Sequence, residues 1–192
     1  MRYILGVIGM IVLGIIAVIL FGNAVSNNGG DQPAPSETTQ TTKTIDHIND
    51  KSRVQFTKYG NINSNEDRRT LKIYVSQNER VIEVLDGYTE TVRKRQTYSN
   101  NYEAYKVFMY ALDKAGFTSK KETKVSNPTG ICPKGYTYYY KLSEAGNDLS
   151  NLWNSSCKPL GGDLGTNGSD IRELFTSQIP DYSEFVQGVS FN

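Results

Sequence analysis

Histidine is nearly absent from this sequence of 192 residues, which contains only His47. Acyl-transfer mechanisms that use a histidine base need that residue on a rigid scaffold, whereas His47 lies at the edge of a polar segment. The usual zinc sites are excluded on the same ground. No two carboxylates stand out by context, so a carboxylate-dependent hydrolase is only a residual alternative. We therefore predict no enzyme, no metal site and no cofactor.

A surplus of charge of one sign is also missing, because 21 Lys and Arg residues stand against 20 Asp and Glu residues, a net charge of +1. Nucleic-acid-binding domains usually carry a basic excess, so we predict no nucleic-acid partner. A local basic stretch nevertheless contains Arg93, Lys94 and Arg95 in succession. Two interpretations stay open: an ordinary solvated face, or a binding patch for an anionic partner.

A long hydrophobic run lies near the N-terminus, where residues 3–22 carry no formal charge. About twenty apolar residues are enough for a helix to cross the hydrocarbon core of a bilayer. Arg2 precedes the run, which favours a cytoplasmic N-terminus. The alternative is a signal peptide cleaved near Gly22-Asn23-Ala24, but its apolar stretch would usually be shorter. We predict a transmembrane anchor over residues 1–25, with the membrane as partner of residues 3–22.

The segment after the anchor is rich in Gly, Pro, Ser and Thr and has no apolar periodicity. Such a composition cannot bury enough apolar surface to order itself. We predict a disordered linker over residues 26–50 and an extracytoplasmic α+β domain over residues 51–192.

Short alternating segments open this domain. Alternation of apolar and polar residues over 54–57 and 71–75 predicts strands. Segments 80–85 and 89–98 flank Asp86-Gly87, a pair that favours a two-residue type I′ hairpin turn. Successive strands followed by a helix favour the α+β class, with an antiparallel meander of four or five strands.

One main helix is predicted over residues 101–115. Asn100 is the expected N-cap, and Glu103 completes a capping-box pattern. Gly116 is expected to end the helix in a left-handed conformation, with Phe117 folding back onto the last turn. The apolar face is expected to pack on the sheet, and its members are Tyr102, Tyr105, Phe108, Met109 and Leu112.

A strand rich in tyrosine is predicted near residues 135–142. Alternation points Tyr136, Tyr138 and Tyr140 to one side and Tyr139 to the other. Two interpretations stay open for these rings. They cover a thin core, or those that stay exposed stack on a sugar or peptide.

The C-terminal part holds both cysteines of the chain. An even count in an exported domain predicts a disulfide between Cys132 and Cys157, which would fix the C-terminal segment. Residues 149–153 are predicted as a helical turn, and Ser169 as the cap of a short helix. Loop 163–173 matches a calcium loop poorly, and we interpret it as a glycine-rich turn leading into that cap.

Several features spread over most of the chain together carry a family resemblance. They are the apolar run after Met1-Arg2, Asp86-Gly87 with Ser99-Asn100-Asn101, Cys132-Pro133, Leu152-Trp153 with Cys157, Leu174-Phe175, and Gln178 through Tyr182. On these residues the chain resembles uncharacterised single-pass membrane-anchored proteins of small-genome bacteria, a likeness that implies no known activity. A fainter resemblance, on Asp86-Gly87 and Tyr98-Ser99-Asn100, is to subtilisin-inhibitor-like domains, although the disulfide pattern does not match.

The functional hypothesis from the sequence is a binding or interaction module at the cell envelope, on the outer face of the cell membrane. Its partner would be an envelope or host-surface protein or a glycan, contacted through Arg93 to Arg95 or through the tyrosines. The alternatives are a protease-inhibitor-like secreted domain and the carboxylate-dependent hydrolase.

Overall fold

The computed structural model describes residues 42–125, 127–158 and 161–191. The predicted anchor and residues 26–41 of the predicted linker lie outside them. Within the described ranges, no helix is long and apolar enough to cross a membrane. These ranges form an α+β domain around an antiparallel sheet, so the predicted class is confirmed.

The sheet has six strands in the spatial order β4-β3-β2-β1-β5-β6. Their bounds are β1 Ser52–Tyr59, β2 Arg69–Ser76, β3 Glu79–Asp86, β4 Thr91–Ser99, β5 Thr137–Glu144 and β6 Asn147–Ser155. The first four strands form the predicted meander, and β5 then pairs with the free side of β1. Residues 149–153, predicted as a helical turn, are instead part of β6, because pairing with β5 buries Leu152 and Trp153.

The hairpin at Asp86-Gly87 is confirmed, but its two-residue turn is not. β3 ends at Asp86 and β4 begins at Thr91, so four residues connect them. Gly87 and Glu90 both have positive φ, 69° and 54°. A bulge between Val84 and Leu85 also shifts the register, which accommodates the longer connection.

Helix α1, Tyr102–Lys114, follows the meander. Its N-cap is Asn101, whose side chain accepts the N–H of Ala104 at 2.9 Å. The predicted cap Asn100 is wrong, because its amide donates to the Ser76 carbonyl at 2.7 Å instead. The predicted C-terminus is confirmed, since Gly116 has a φ of 76° and Phe117 is buried.

Two shorter helices close the chain: α2, Gly168–Thr176, and α3, Tyr182–Val186. The cap of α2 is Asn167, which accepts the N–H of Ser169 at 3.0 Å. Ser169, the predicted cap, is instead the second residue of the helix, because the side-chain oxygen of Asn167 accepts its N–H and so takes the capping position.

The helices all contribute to one core on one face of the sheet. Phe175 of α2 lies against Phe56 of β1 and meets Phe108 of α1 edge to face, at centroid distances of 5.9 and 5.3 Å. Side chains that point to the same face of the sheet as Phe56, such as Val54 and Ile73, belong to the same buried cluster. One face of the sheet is thus the packing face.

The folded part begins before residue 51. Thr44–His47 form a 3-10 turn, which lies within the predicted linker. Thr44 is buried and its N–H donates to Asp113 at 3.0 Å, and His47 Nδ1 lies 2.6 Å from Glu144. Order at these polar residues comes from contacts with α1 and β5, which a local composition does not reveal.

Candidate binding groove on the uncovered sheet face

The second face of the sheet carries charged and aromatic side chains. Val81, Leu85 and Trp153 are buried there, yet they lie outside the helix-packed core. Since alternate strand residues point to opposite faces, the helices of the described ranges leave this face uncovered.

On the β2–β4 side of this face, the charges are paired. Glu83 accepts hydrogen bonds from Arg95 at 2.9 Å and from the Tyr74 hydroxyl at 3.1 Å. Burial, followed by the charge of Glu83, raises the pKa of Tyr74 and keeps its hydroxyl a donor. Lys72 is paired with Glu90 in the same way.

On the β1–β5–β6 side, the face is hollowed into two adjoining pockets. One has a volume of about 250 Å³ and the other of about 560 Å³. They share Tyr139 and Pro128, and we call the combined depression the Tyr139 groove. The smaller pocket is further lined by Tyr59, Arg68, Tyr88, Thr129, Cys132 and Thr137, and the larger by Lys120, Lys121, Glu122, Asn151, Trp153 and Asp163.

The floor of the groove is aromatic. The rings of Tyr59 and Tyr139 meet edge to face at 5.5 Å, and Trp153 pairs with Tyr139 across β5 and β6. Burial raises the pKa of Tyr139, and the charge of Asp163 adds to the effect. Its phenol therefore stays protonated over the physiological pH range and offers both a ring edge and a hydroxyl.

One wall is built by two loops that hold each other. The Tyr88 N–H donates to the Asn65 side chain at 3.0 Å, and the Gly87 N–H donates to the Arg68 carbonyl at 3.0 Å. The guanidinium carbon of Arg68 lies 4.4 Å from the centroid of Tyr88 and 5.4 Å from that of Tyr59. Arg68 is thereby held at the rim between two tyrosine rings.

A second wall depends on the disulfide. Cys132 and Cys157 are bonded, as predicted, with their Cα atoms 5.7 Å apart. Cys132 lines the smaller pocket, and the neighbouring Pro133 carbonyl accepts the N–H of Ile62 at 2.9 Å. The bridge thus ties the loop before β5 to the end of β6 rather than fixing the whole C-terminal segment.

The third wall consists of two segments that pair with each other. Lys121 N–H donates to the Asp163 carbonyl at 2.8 Å, and Lys120 pairs with Leu164 in an isolated bridge. The Asp163 carboxylate accepts the backbone N–H of Trp153 at 2.7 Å. The first part of loop 163–173 thus pairs with neighbouring segments, and the loop then leads into the cap of α2 as a turn.

The basic residues singled out in the sequence do not form one patch. Arg95 is paired with Glu83, and Arg93 lies 3.6 Å from Asp86. Lys94 points to the helix side, where it donates to the Phe185 carbonyl at 3.0 Å. Strand alternation separates Lys94 from Arg95, so their use as a common binding surface stays a prediction without geometric support.

The tyrosines singled out in the sequence lie on the helix side. Tyr140 is fully buried and bonds to the Gly168 carbonyl at 3.3 Å, so it belongs to the core. Tyr138 is half-buried beneath Arg172, at 4.4 Å. Tyr136 precedes β5 and contacts Lys58, whose ammonium lies 4.0 Å from its centroid. These tyrosines therefore serve mainly in packing.

The groove residues that sequence reasoning missed are Tyr59, Arg68, Tyr88 and Trp153. The sequence did indicate a second aromatic face, because strand alternation points Tyr139 away from Tyr138 and Tyr140. Tyr88 and Arg68 carry no local signal, because they lie in separate loops that meet only in the folded domain.

No catalytic or metal-binding arrangement is found in the described ranges. There, no group of three or more His, Cys, Asp or Glu residues could hold a metal ion. The single histidine is engaged with Glu144. No family model matches the chain, and neither a curated protein nor a solved structure matches it.

Proposed function

We propose that the chain is a membrane-anchored, non-enzymatic binding module at the cell envelope. In this proposal residues 3–22 hold it in the cell membrane, and the domain lies on the extracytoplasmic side. Its ligand occupies the Tyr139 groove.

One observation carries the proposal: the division of the sheet into a packed face and an uncovered face with an aromatic groove. The fold is stabilised by the helix side, and yet rings of Tyr59 and Tyr139 are arranged on the opposite side. Aromatic side chains in a concave site with a few polar groups are typical of ligand-binding surfaces.

Binding is tested by sedimentation with envelope material. The full chain, purified in detergent, is mixed with envelope material of the cells that produce it, from which lipid and protein have been extracted so that the anchor does not contribute to retention. We expect Tyr139→Ala to lower the retained fraction at least about fivefold, as for a central interface residue. The matched control is Tyr110→Ala, which removes a tyrosine 52% exposed on α1, outside the groove. Equal retention of both variants would refute the groove as the binding site.

The anchor is tested separately, by intact mass spectrometry of the protein from its native membrane fraction. A full-length mass supports a retained anchor. A mass that begins near Val25 means cleavage and release, in which case the groove would act in a secreted protein.

The other candidate functions are weaker proposals. The inhibitor hypothesis needs a rigid, protruding loop at the disulfide, whereas residues beside Cys132 form a wall of the groove. The hydrolase hypothesis needs converging carboxylates, whereas Glu83 and Glu90 are each paired with a cation.

A further inference from the structure

We propose that the Tyr139 groove binds an acidic polysaccharide chain, whose carboxylate or phosphate groups are recognised by Arg68. This inference rests on the proposed function and names the ligand class of the same site. Three observations support it: Arg68 has a fixed position and no acidic partner among the described residues, the groove lining has a net positive charge, and the strands beneath Tyr59 and Tyr139 are paired on both sides.

Arg68 is held in place but has no acidic partner. Its guanidinium lies over the rings of Tyr59 and Tyr88, and the residue as a whole is half-buried. Within the described ranges, no carboxylate lies within salt-bridge distance of it, whereas Lys72, Arg95 and Lys141 on the same face each have one. A stacked guanidinium loses little freedom on binding and presents a donor fork that matches carboxylate or phosphate oxygens.

Two lysines lie at the opposite end of the groove. Lys120 and Lys121 line the larger pocket and are exposed, and neither makes an ion pair among the described residues. The acids of that pocket are Glu122 and Asp163, and the Asp163 carboxylate is already engaged by the Trp153 N–H. The lining of the whole groove thus contains three cations, Arg68, Lys120 and Lys121, against two carboxylates, and this net positive charge favours an anionic ligand.

The backbone beneath Tyr59 and Tyr139 argues against a peptide that binds as an added strand. β1 is paired on both sides, with β2 and β5, and β5 is paired with β1 and β6. One common mode of peptide binding adds the peptide backbone to a free strand edge, and no such edge lies beneath Tyr59 and Tyr139. Sugar rings need no backbone partner, since they stack on aromatic faces and bond to side chains such as those of Thr137 and Asn151.

The size of the groove favours a chain over one small molecule. Tyr59 and Trp153 lie on strands separated by β5, a distance of about 10 Å. The two pockets continue beyond these residues and meet at Tyr139. A polymer can place consecutive units in both pockets.

The test measures affinities of the full chain in detergent by calorimetry. The probes are hexagalacturonate, its neutral methyl ester, a phosphorylated maltohexaose and poly-glutamate. We expect one of the first and third probes to bind at least about tenfold more tightly than the methyl ester, because hydrogen bonds to a charged group are strong. Which of the two binds better distinguishes carboxylate from phosphate recognition.

Variants then assign the preference to Arg68. Arg68→Gln is expected to lower affinity for the acidic probe to that for the neutral ester, and Arg68→Lys to restore part of it. The matched control is Arg53→Gln, because Arg53 also lies over a tyrosine, Tyr74, but lines neither pocket. Each variant is taken as folded if its melting temperature equals that of the original protein. If Arg68→Gln is unstable, Arg68→Lys replaces it as the test variant.

Three results would overturn the inference. Equal binding of acidic and neutral saccharides, or an unaffected Arg68→Gln, refutes recognition of the charge. Tighter binding of poly-glutamate than of either acidic saccharide points to a peptide ligand instead. In each case, loss of envelope retention by Tyr139→Ala would leave the proposed function standing, whereas retention by that variant would refute both.

Discussion

At the scale of single residues, Gly87 connects backbone conformation to the shape of the groove. Its φ is 69°, and a Cβ atom there would lie 2.7 Å from Asn65 Oδ1. That oxygen accepts the Tyr88 N–H and so holds the ring that stacks on Arg68. A side chain at this position would disturb the loop pair that forms the wall.

We predict that Gly87→Ala destabilises the domain by about 1 to 2 kcal/mol for the left-handed backbone, plus about 1 kcal/mol for the disturbed hydrogen bond. Gly146→Ala is the control, because Gly146 has a φ of 84° but open space around its Cβ position. Urea unfolding of the full chain in detergent measures both. Equal losses would mean that Asn65 moves aside at no cost.

At the scale of elements, the disulfide acts on one hairpin. It joins residues 25 positions apart and lies next to the Thr137 and Ser155 pair, where β5 begins and β6 ends. We predict that Cys132→Ser with Cys157→Ser costs about 3 kcal/mol by the chain-entropy account. Unfolding with and without reductant measures this, and the double variant should not respond to reductant. A loss below about 1 kcal/mol would mean that the hairpin constrains the loop without the bridge.

The 3-10 turn is a second element whose order depends on a distant contact. Glu144 accepts from His47 and from Asn49, at 2.6 and 2.7 Å. These bonds, that of His47 first, hold the pKa of Glu144 below its ordinary value. The ionised Glu144 therefore contributes to the free energy of unfolding. Because its folded-state pKa is lowered, this contribution is fully present above the pKa of a free glutamate and is lost as the pH falls through the folded-state value.

We therefore predict that Glu144→Gln raises amide hydrogen exchange in residues 44–49 at neutral pH and leaves α1 unchanged. In the original protein the same loss should appear only in acid, after correction for intrinsic exchange rates. Asp148→Asn is the control, since Asp148 is a partly exposed carboxylate on the same hairpin that pairs with Lys141 instead. Equal exchange in the two variants would show that packing of Thr44 alone holds the turn.

Elements set by local patterns could be predicted from the sequence, and contacts between distant segments could not. The meander, the span of α1 and its end at Gly116 follow from alternation, periodicity and one glycine. The strand β6 was missed because three of its first four residues, Asn147, Asp148 and Ser150, are polar, and only pairing with β5 decides their conformation. The groove was missed because Arg68 and Tyr88 come together only when two loops bond to each other.

At the scale of the whole molecule, the aromatic core and the proposed binding groove lie on opposite faces of one sheet. The helix side holds the aromatic core around Phe175, and the other side holds the Tyr139 groove. Substitution of an exposed groove residue such as Tyr88 should therefore cost less stability than substitution of Phe175 in the core.

Ionisation of tyrosine should limit stability in alkali. Burial, in every case the largest cause, raises the pKa of seven described tyrosines: Tyr59, Tyr74, Tyr105, Tyr138, Tyr139, Tyr140 and Tyr182. The unfolded chain ionises near pH 10, whereas the folded domain retains these protons. Because the folded state then binds more protons, the free energy of unfolding falls as the pH rises above about 10.

Tyr105 gives this prediction its sharpest form. Its pKa is raised to about 12, and its hydroxyl lies 2.8 Å from Ser52 Oγ. The Ser52 hydroxyl donates to the Asn49 carbonyl, so Tyr105 is the donor of the pair and must stay protonated. We predict that Tyr105→Phe lowers stability by about 1 kcal/mol at neutral pH and makes the alkaline decline less steep. Urea unfolding at a series of pH values, with tyrosinate absorbance recorded in parallel, measures both. Parallel declines in the original protein and the variant would show that the other tyrosines, rather than Tyr105, govern unfolding in alkali.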